Sequence, residues 1–408
     1  MESIKKKLNL RPYLSGLLPL FVFAHFGHHV IGAMLRPLMP MIRTDLGILY
    51  EKAGWMMSAF AITNGISQLP AGWLADRLGT RFIILISISG VAVAGFFIGF
   101  TNSFGMLVAL LIVAALLGGG YHPASAAALS ASVPEEYRGR ALGIHFVGGS
   151  STMWVMPLVA APIAAAWGWQ SPFLIMAVPT MIFGIVIFIL IGRYNQRMAA
   201  QGSREGTGEQ VQTEPKKVRW GELVPFVALT VLTGTLLMSS ASYLSLYAVD
   251  HLGLSEQSAA MLMAVQPAVG ALAAPLGGYL ADRFGNLKIM IIISVLVAPL
   301  IYMLGLVTNV AMLVVIMICI GLVSTARMPT SESYIFSNAP QRYRATVLGV
   351  YYFSGTGVSG ILTPFVGKLL DTHSFRFTYT INSIVTAVVV AICTLFIWID
   401  KQRRSNTI

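Results

Sequence analysis

The stretch Gly72-Trp-Leu-Ala-Asp76-Arg77-Leu-Gly79-Thr-Arg81 recurs as Gly278-Tyr-Leu-Ala-Asp282-Arg283-Phe-Gly285-Asn-Leu-Lys288, 206 positions further on (76 to 282). The same offset carries Pro134-Glu-Glu-Tyr137-Arg138 onto Pro340-Gln-Arg-Tyr343-Arg344, and Pro123 onto Pro329. One shift that aligns three landmarks marks a duplicated chain. The repeated stretch also has a physical logic. Gly72 and Gly278 remove side chains where helices approach closely. Asp76 and Asp282 sit where a carboxylate is tolerated, at a membrane interface. Gly79 and Gly285 supply a tight turn. Arg77, Arg81, Arg283 and Lys288 anchor that turn on the cytoplasmic side.

Composition agrees with a membrane setting. Of 408 residues, 56% are hydrophobic and 11% charged, against about 45–50% and about 25% in an average soluble domain. So little charge cannot cover a water-facing globule, which excludes a soluble enzyme, a nucleic-acid binder and a disordered chain. Two cysteines, Cys319 and Cys393, both inside apolar runs, exclude a disulfide scaffold. The expected class is an all-α polytopic membrane protein with 12 transmembrane helices in two pseudo-symmetric six-helix bundles.

Apolar runs place those helices near 14–41, 53–75, 82–101, 105–131, 141–166, 170–192, 222–249, 257–281, 288–307, 310–337, 345–370 and 376–399. The expected division is a first bundle over 1–193, a polar linker over 194–220 and a second bundle over 221–408. Of 27 Lys and Arg, 21 fall in the termini and the even-numbered gaps, and only Arg43, Lys52, Lys368 and Arg376 fall in the odd-numbered gaps. The positive-inside rule then puts both termini in the cytoplasm. The net charge of +11 is thereby a topology signal, and no nucleic-acid partner is implied. Basic Met1–Arg11 precedes a long run without a small-residue cleavage site, and reads as the start of a retained helix.

Few ionisable residues lie inside the spans. On helix 1, His25, His29, Gly32 and Arg36 share one stripe at 100° per residue. Helix 4 has His122 beside Tyr121, and helix 10 has Arg327 and Glu332 flanking Pro329. At 1.5 Å per residue, His25, His122 and Arg327 come out about 14–17 Å deep, near the bilayer midplane. Intramembrane charge marks a substrate or ion path by default. Each residue also has a plainer role open to it. Arg36 is close enough to its helix end to snorkel, and His122 and His25 can be satisfied by neighbouring carbonyls. Glu332 can couple protons or neutralise Arg327. Of His28 and His29, one faces protein packing, and His145 packs near the cytoplasm. His25 and His29, at i and i+4, have metal-ligand spacing, but no Cys, Asp or Glu accompanies them, so no metal is expected. There is no Walker-type loop and no activated nucleophile, so neither catalysis nor a cofactor is expected, and a gradient is the energy source.

These motifs resemble the major facilitator superfamily of secondary transporters over essentially the whole chain. More narrowly, Gly148-Gly-Ser…Pro157-Leu-Val-Ala-Ala-Pro162 and Gly168-Trp169-Gln-Ser-Pro-Phe173 are similar to the fosmidomycin-resistance-like efflux branch. The resemblance implies that helices 1, 4, 7 and 10 line a central cavity, and that Asp76, Arg77 and Arg138 form an ion-pair latch between halves in the outward-facing state. It implies an inner-membrane, monomeric carrier. Two positions depart from related drug–proton antiporters: Ala114 stands where they have Arg, and Met156 precedes Pro157 where they have Gly. The expected function is proton-coupled efflux of a small organic anion or amphiphilic compound, taken from the excess of buried basic groups. Uptake of a carboxylate- or phosphate-bearing metabolite, and a non-transporting membrane sensor, are the alternatives.

Overall fold

The computed structural model describes residues 17–133, 138–200, 220–338 and 344–405. Within them the chain forms twelve successive helical rods. They are α1 (Leu18–Leu35, then Met39–Leu46), α2 (Tyr50–Leu78), α3 (Thr80–Leu85, a π turn Ile86–Gly90, then Val91–Ile98), α4 (Phe104–Gly118, then Tyr121–Ser132), α5 (Arg138–Trp167) and α6 (Ser171–Ala200). The remainder are α7 (Trp220–Ala241, then Leu244–Asp250), α8 (Glu256–Leu262, then Val265–Phe284), α9 (Asn286–Leu304), α10 (Val310–Asn338), α11 (Arg344–Thr372) and α12 (Phe375–Ser405).

Several boundaries differ from the sequence reading: α12 runs to Ser405 and not 399, and two more differences have identifiable reasons. Rod α6 runs to Ala200, beyond the apolar run, because a helix projecting past the membrane needs no apolar face. The rest of the 194–220 linker lies outside the described residues, apart from Trp220. Rod α1 breaks at Arg36–Leu38, where Pro37 cannot continue the hydrogen-bond ladder, and resumes to Leu46.

Eight of the rods contain helices long and apolar enough to cross a membrane. Among the described residues, α2 and α11 do not meet that measure. Across the seam between the two halves of the chain, α2 lies along α11, and α8 lies against α5. A rod that faces another rod across a polar seam needs less apolar surface than one facing lipid.

The seam is built from small residues, as expected where packing, and not hydrophobic exclusion, joins helices. A Cβ on Gly54 of α2 would come within 2.8 Å of the Pro364 backbone of α11. One turn on, the Ser58 hydroxyl donates to the Gly360 carbonyl.

Polar contacts close the seam at the end distal to the chain termini. Arg43 at the end of α1 makes a bidentate ion pair with Asp250 at the end of α7, at 2.8 and 3.0 Å. Partly exposed, such a pair is worth about 1 kcal/mol. The Tyr50 hydroxyl donates to the same carboxylate, and Thr44 donates to Glu256 at 2.7 Å. The Asp371 carboxylate, at the end of α11, accepts the free Tyr50 and Glu51 N–H groups that open α2, at 2.9 and 2.8 Å. A helix N-terminus favours negative charge, so α11 supplies the cap that α2 lacks in its own sequence.

Asp371→Ala removes both charge-assisted bonds and is expected to weaken distal closure by about 2 kcal/mol. Nitroxide labels at Asn102 and His373 should then report a new, longer distance population. An unchanged distribution would remove Asp371 from the closing contacts.

Candidate functional site

The first group of polar residues is carried by α1, α4 and α5. The rings of His28, Tyr121, His25 and His145 form a cluster of near-parallel planes: His28 and Tyr121 at 4.4 Å, Tyr121 and His25 at 5.4 Å, His25 and His145 at 4.2 Å, and Tyr121 and His145 at 6.0 Å. For the first three pairs the interplanar angles are 10°, 26° and 19°. Three of these imidazoles are oriented by backbone carbonyls of neighbouring rods. His25 Nδ1 donates to the His145 carbonyl at 2.9 Å, and His145 Nδ1 to the Phe21 carbonyl at 3.0 Å. His28 Nδ1 donates to the Ser87 carbonyl at 3.1 Å. Ser87 lies in the π turn of α3, a widened turn that leaves carbonyls available off the regular ladder.

A carbonyl only accepts, so the hydrogen on each of these rings is at Nδ1 and Nε2 is left as an acceptor, which on His145 lies 3.5 Å from the Ser125 hydroxyl. His29 lies beside the cluster, its Nε2 3.2 Å from His25 Nε2. With His25 Nε2 an acceptor, His29 Nε2–H is the donor. His122 flanks both, with ring centroids 5.2 and 5.4 Å away. His25 is buried, whereas His29 and His122 are half-buried. Gly149 of α5 makes room for this corner, since a Cβ there would lie 2.4 Å from His25 Nε2.

The same stripe of α1 ends at half-buried Arg36, whose carbonyl accepts the Ser245 hydroxyl of α7 at 3.2 Å. That contact shows that the stripe ends where α1 meets the second half of the chain.

The second group lies on α7, α10 and α11. Arg327 Nη1 donates to the Thr230 carbonyl of α7 at 2.6 Å. Its guanidinium fills a notch left by Gly234, where an added Cβ would fall 1.3 Å from Nη1. Tyr351 of α11 is within electrostatic reach of Arg327. Among the described residues no carboxylate lies within 4 Å of Arg327. Glu332 instead lies beside Tyr352 of α11, and its Oε1 is buried without a hydrogen-bond partner.

The structure therefore brings His25, His29 and His122 together, and sets Arg327 and Glu332 apart from each other on α10. Sequence reading missed what surrounds them: the ring cluster of His28, Tyr121 and His145, and the notches at Gly149 and Gly234. Neighbouring letters held one clue, Tyr121 next to His122. Gly234 has no local signal. An apolar groove of about 280 Å³, lined by Trp55, Ser58, Ile62, Phe104 and Val108, holds none of these ionisable groups.

The repeated turn is seen in part. Gly79 and Gly285 have φ of +86° and +89° and end α2 and α8, the conformation that selects glycine. Arg77 is exposed and lies 4.1 Å over the Trp73 ring of its own helix. Arg81 lies over Phe188 at 4.4 Å, and Arg283 donates to Tyr279 at 2.9 Å. Lys288 is exposed at the start of α9. The side chains of Asp76, Arg138 and Asp282, and the surroundings of Gly72 and Gly278, lie outside the described residues, and so does the expected latch.

Comparison with known proteins places this architecture. The Major Facilitator Superfamily profile matches residues 21–354 and 226–408. The chain is 27% identical over 407 residues to the multidrug resistance protein MdtG of Proteus mirabilis (strain HI4320), covering 96% of this chain and 98% of that protein. It is 25% identical over 383 residues to the protein of the same name from Dickeya zeae (strain Ech586), covering 92% and 91%. Among solved structures, a POT family transporter in complex with 5-aminolevulinic acid superposes with a TM-score of 0.80 at 15% identity, over 94% of this chain and 96% of that one. A bacterial homologue of the human lysosomal transporter Spinster, inward-facing and occupied, superposes with a TM-score of 0.72 at 16% identity, over 96% and 97%. With its full-length profile match and its shared helical architecture, the chain belongs to the major facilitator superfamily of membrane transporters and is not an enzyme.

Proposed function

We propose that this chain exports a small organic anion or an amphiphilic, drug-like compound across the inner membrane, driven by protons. The two halves, 1–193 and 221–408, joined through 194–220, rock about a midplane site, and the carrier works as a monomer with both termini in the cytoplasm. His25, His29, Arg36, His122, Arg327 and Glu332 are the substrate and proton groups of this reading.

The observation that carries it is the guanidinium of Arg327. A full positive charge is costly inside the bilayer unless it is paired or faces a wet cavity. Its one contact fixed here is a neutral carbonyl, with no carboxylate within 4 Å among the described residues. A substrate anion completes such a site by charge-assisted hydrogen bonding. Glu332 supports proton coupling, because its buried Oε1 has no donor and a bound proton would turn it into one. Efflux is favoured by the relatives named multidrug resistance protein. The distal seam, on the outer side by the positive-inside reading, is closed in this structure. Asp76, Arg77 and Arg138 would latch the cytoplasmic side when that seam opens.

Two variants test the anion site in proteoliposomes carrying an imposed pH gradient. Arg327→Ala should abolish transport of organic anions with little change in folded yield. Gly234→Ala leaves the charge but evicts it from its notch, and should lower transport at least tenfold. Undiminished anion flux in both would overturn the reading. Glu332→Gln should leave substrate exchange intact and remove its dependence on the proton gradient, while an unaltered gradient dependence would assign Glu332 to structure.

A further inference from the structure

We propose that His25, His29 and His122 form a binding site for a divalent transition-metal ion of the zinc, cobalt or nickel class. The sequence supplies only an i, i+4 pair on α1. The fold supplies the third imidazole from α4, so that one ligand atom from each ring lies within 4.8 Å of the others.

Three features fit ligation better than packing alone. The first is the separation of the paired nitrogens. Two imidazoles on one tetrahedral ion, with metal–nitrogen bonds of about 2.05 Å, hold their donor atoms about 3.3 Å apart. His25 Nε2 and His29 Nε2 are 3.2 Å apart. The second is the outer hydrogen bond. Metal-ligating histidines almost always donate their other ring N–H to a carbonyl or carboxylate, which fixes the tautomer and raises basicity. His25 does so, through Nδ1 to the His145 carbonyl, and its Nε2 lone pair points at His29. The third is the seating of the ring. Gly149 lets α5 lie over the face of His25, where a Cβ would fall 2.4–2.7 Å from Nε2, Cε1 and Cδ2 and push the ring from its place beside His29.

Ligation needs two small adjustments. The hydrogen on His29 moves from Nε2 to Nδ1, a change of tautomer with no net loss of a proton. His122 closes toward the pair by side-chain rotation. Three imidazoles with no thiolate suit zinc, cobalt or nickel and not copper(I). A fourth position stays open on the half-buried side, where His29 and His122 are accessible. All three ligands belong to α1 and α4, in the first half of the chain, so the site needs nothing from the second half to form.

The test uses the full chain without a histidine tag, in nanodiscs, titrated with Co2+ and separately with Zn2+. This readout is binding, so it stands or falls independently of the transport proposal. Wild type should take up one Co2+ with the intense visible bands of four-coordinate cobalt, and Zn2+ should displace it. His29→Gln and His122→Gln should each weaken binding on the order of 100-fold, and the double variant should abolish it. Gly149→Ala should also weaken it, although no ligand is removed. Exchanging the exposed His251 and His373 for Gln should change nothing. Absence of saturable uptake at one equivalent, a six-coordinate cobalt spectrum in wild type, or equal affinity in the folded double variant would each overturn the site. Wild-type spectra decide the matter even where a variant fails to fold.

Discussion

The guanidinium of Arg327 occupies a notch that exists only because residue 234 has no side chain. That constraint sets where α10 meets α7 at this level. A charge within the bilayer must be held by protein or water, and here α7 gives both a carbonyl at Thr230 and the room beside it. The histidine corner repeats the principle in the first half. Gly149 of α5 makes room for the face of the His25 ring, and carbonyls of α3 and α5 orient the rings. In both places a backbone of small residues creates a polar position that a bulkier bundle would close.

The seam between the halves uses small residues for a different end. Gly54 lets α2 lie against Pro364 of α11, and the contact is finished by the carboxylates of Asp250 and Asp371 at the distal end. Those bonds are individually modest and partly solvent-exposed. An interface made of close van der Waals contact and a few weak polar closures can open without unfolding either half, as an alternating-access carrier requires. The same seam accounts for the lower apolarity of α2 and α11 among the described residues.

Much of the fold was legible before any coordinates. The 206-residue offset announced the duplication, and the positive φ at Gly79 and Gly285 matches the turn read from the repeat. The grouping of His25 with His29 followed from helical periodicity. What periodicity cannot supply is contact between distant rods. His122 and His145 meet His25 only through packing of α4 and α5 on α1. Asp250, Glu256 and Asp371 sat unremarked in short polar gaps, because only the basic residues there were read, and as topology. The expectation of no metal rested on missing Cys, Asp and Glu near His25. The nearness of His122, brought from another helix by the fold, is invisible to that reasoning.

The central claim is that the ionisable groups of α1 and α10 face one hydrated cavity. Cysteine accessibility tests it directly. In a chain carrying Cys319→Ser and Cys393→Ser, His29→Cys or Tyr351→Cys would be exposed to a small, charged, membrane-impermeant thiol reagent added from either side. Labelling of both positions, from the cytoplasmic side while the distal seam is closed, is the predicted result. If both positions resist the charged reagent and react only with a lipid-soluble one, these groups face the bilayer and the account fails.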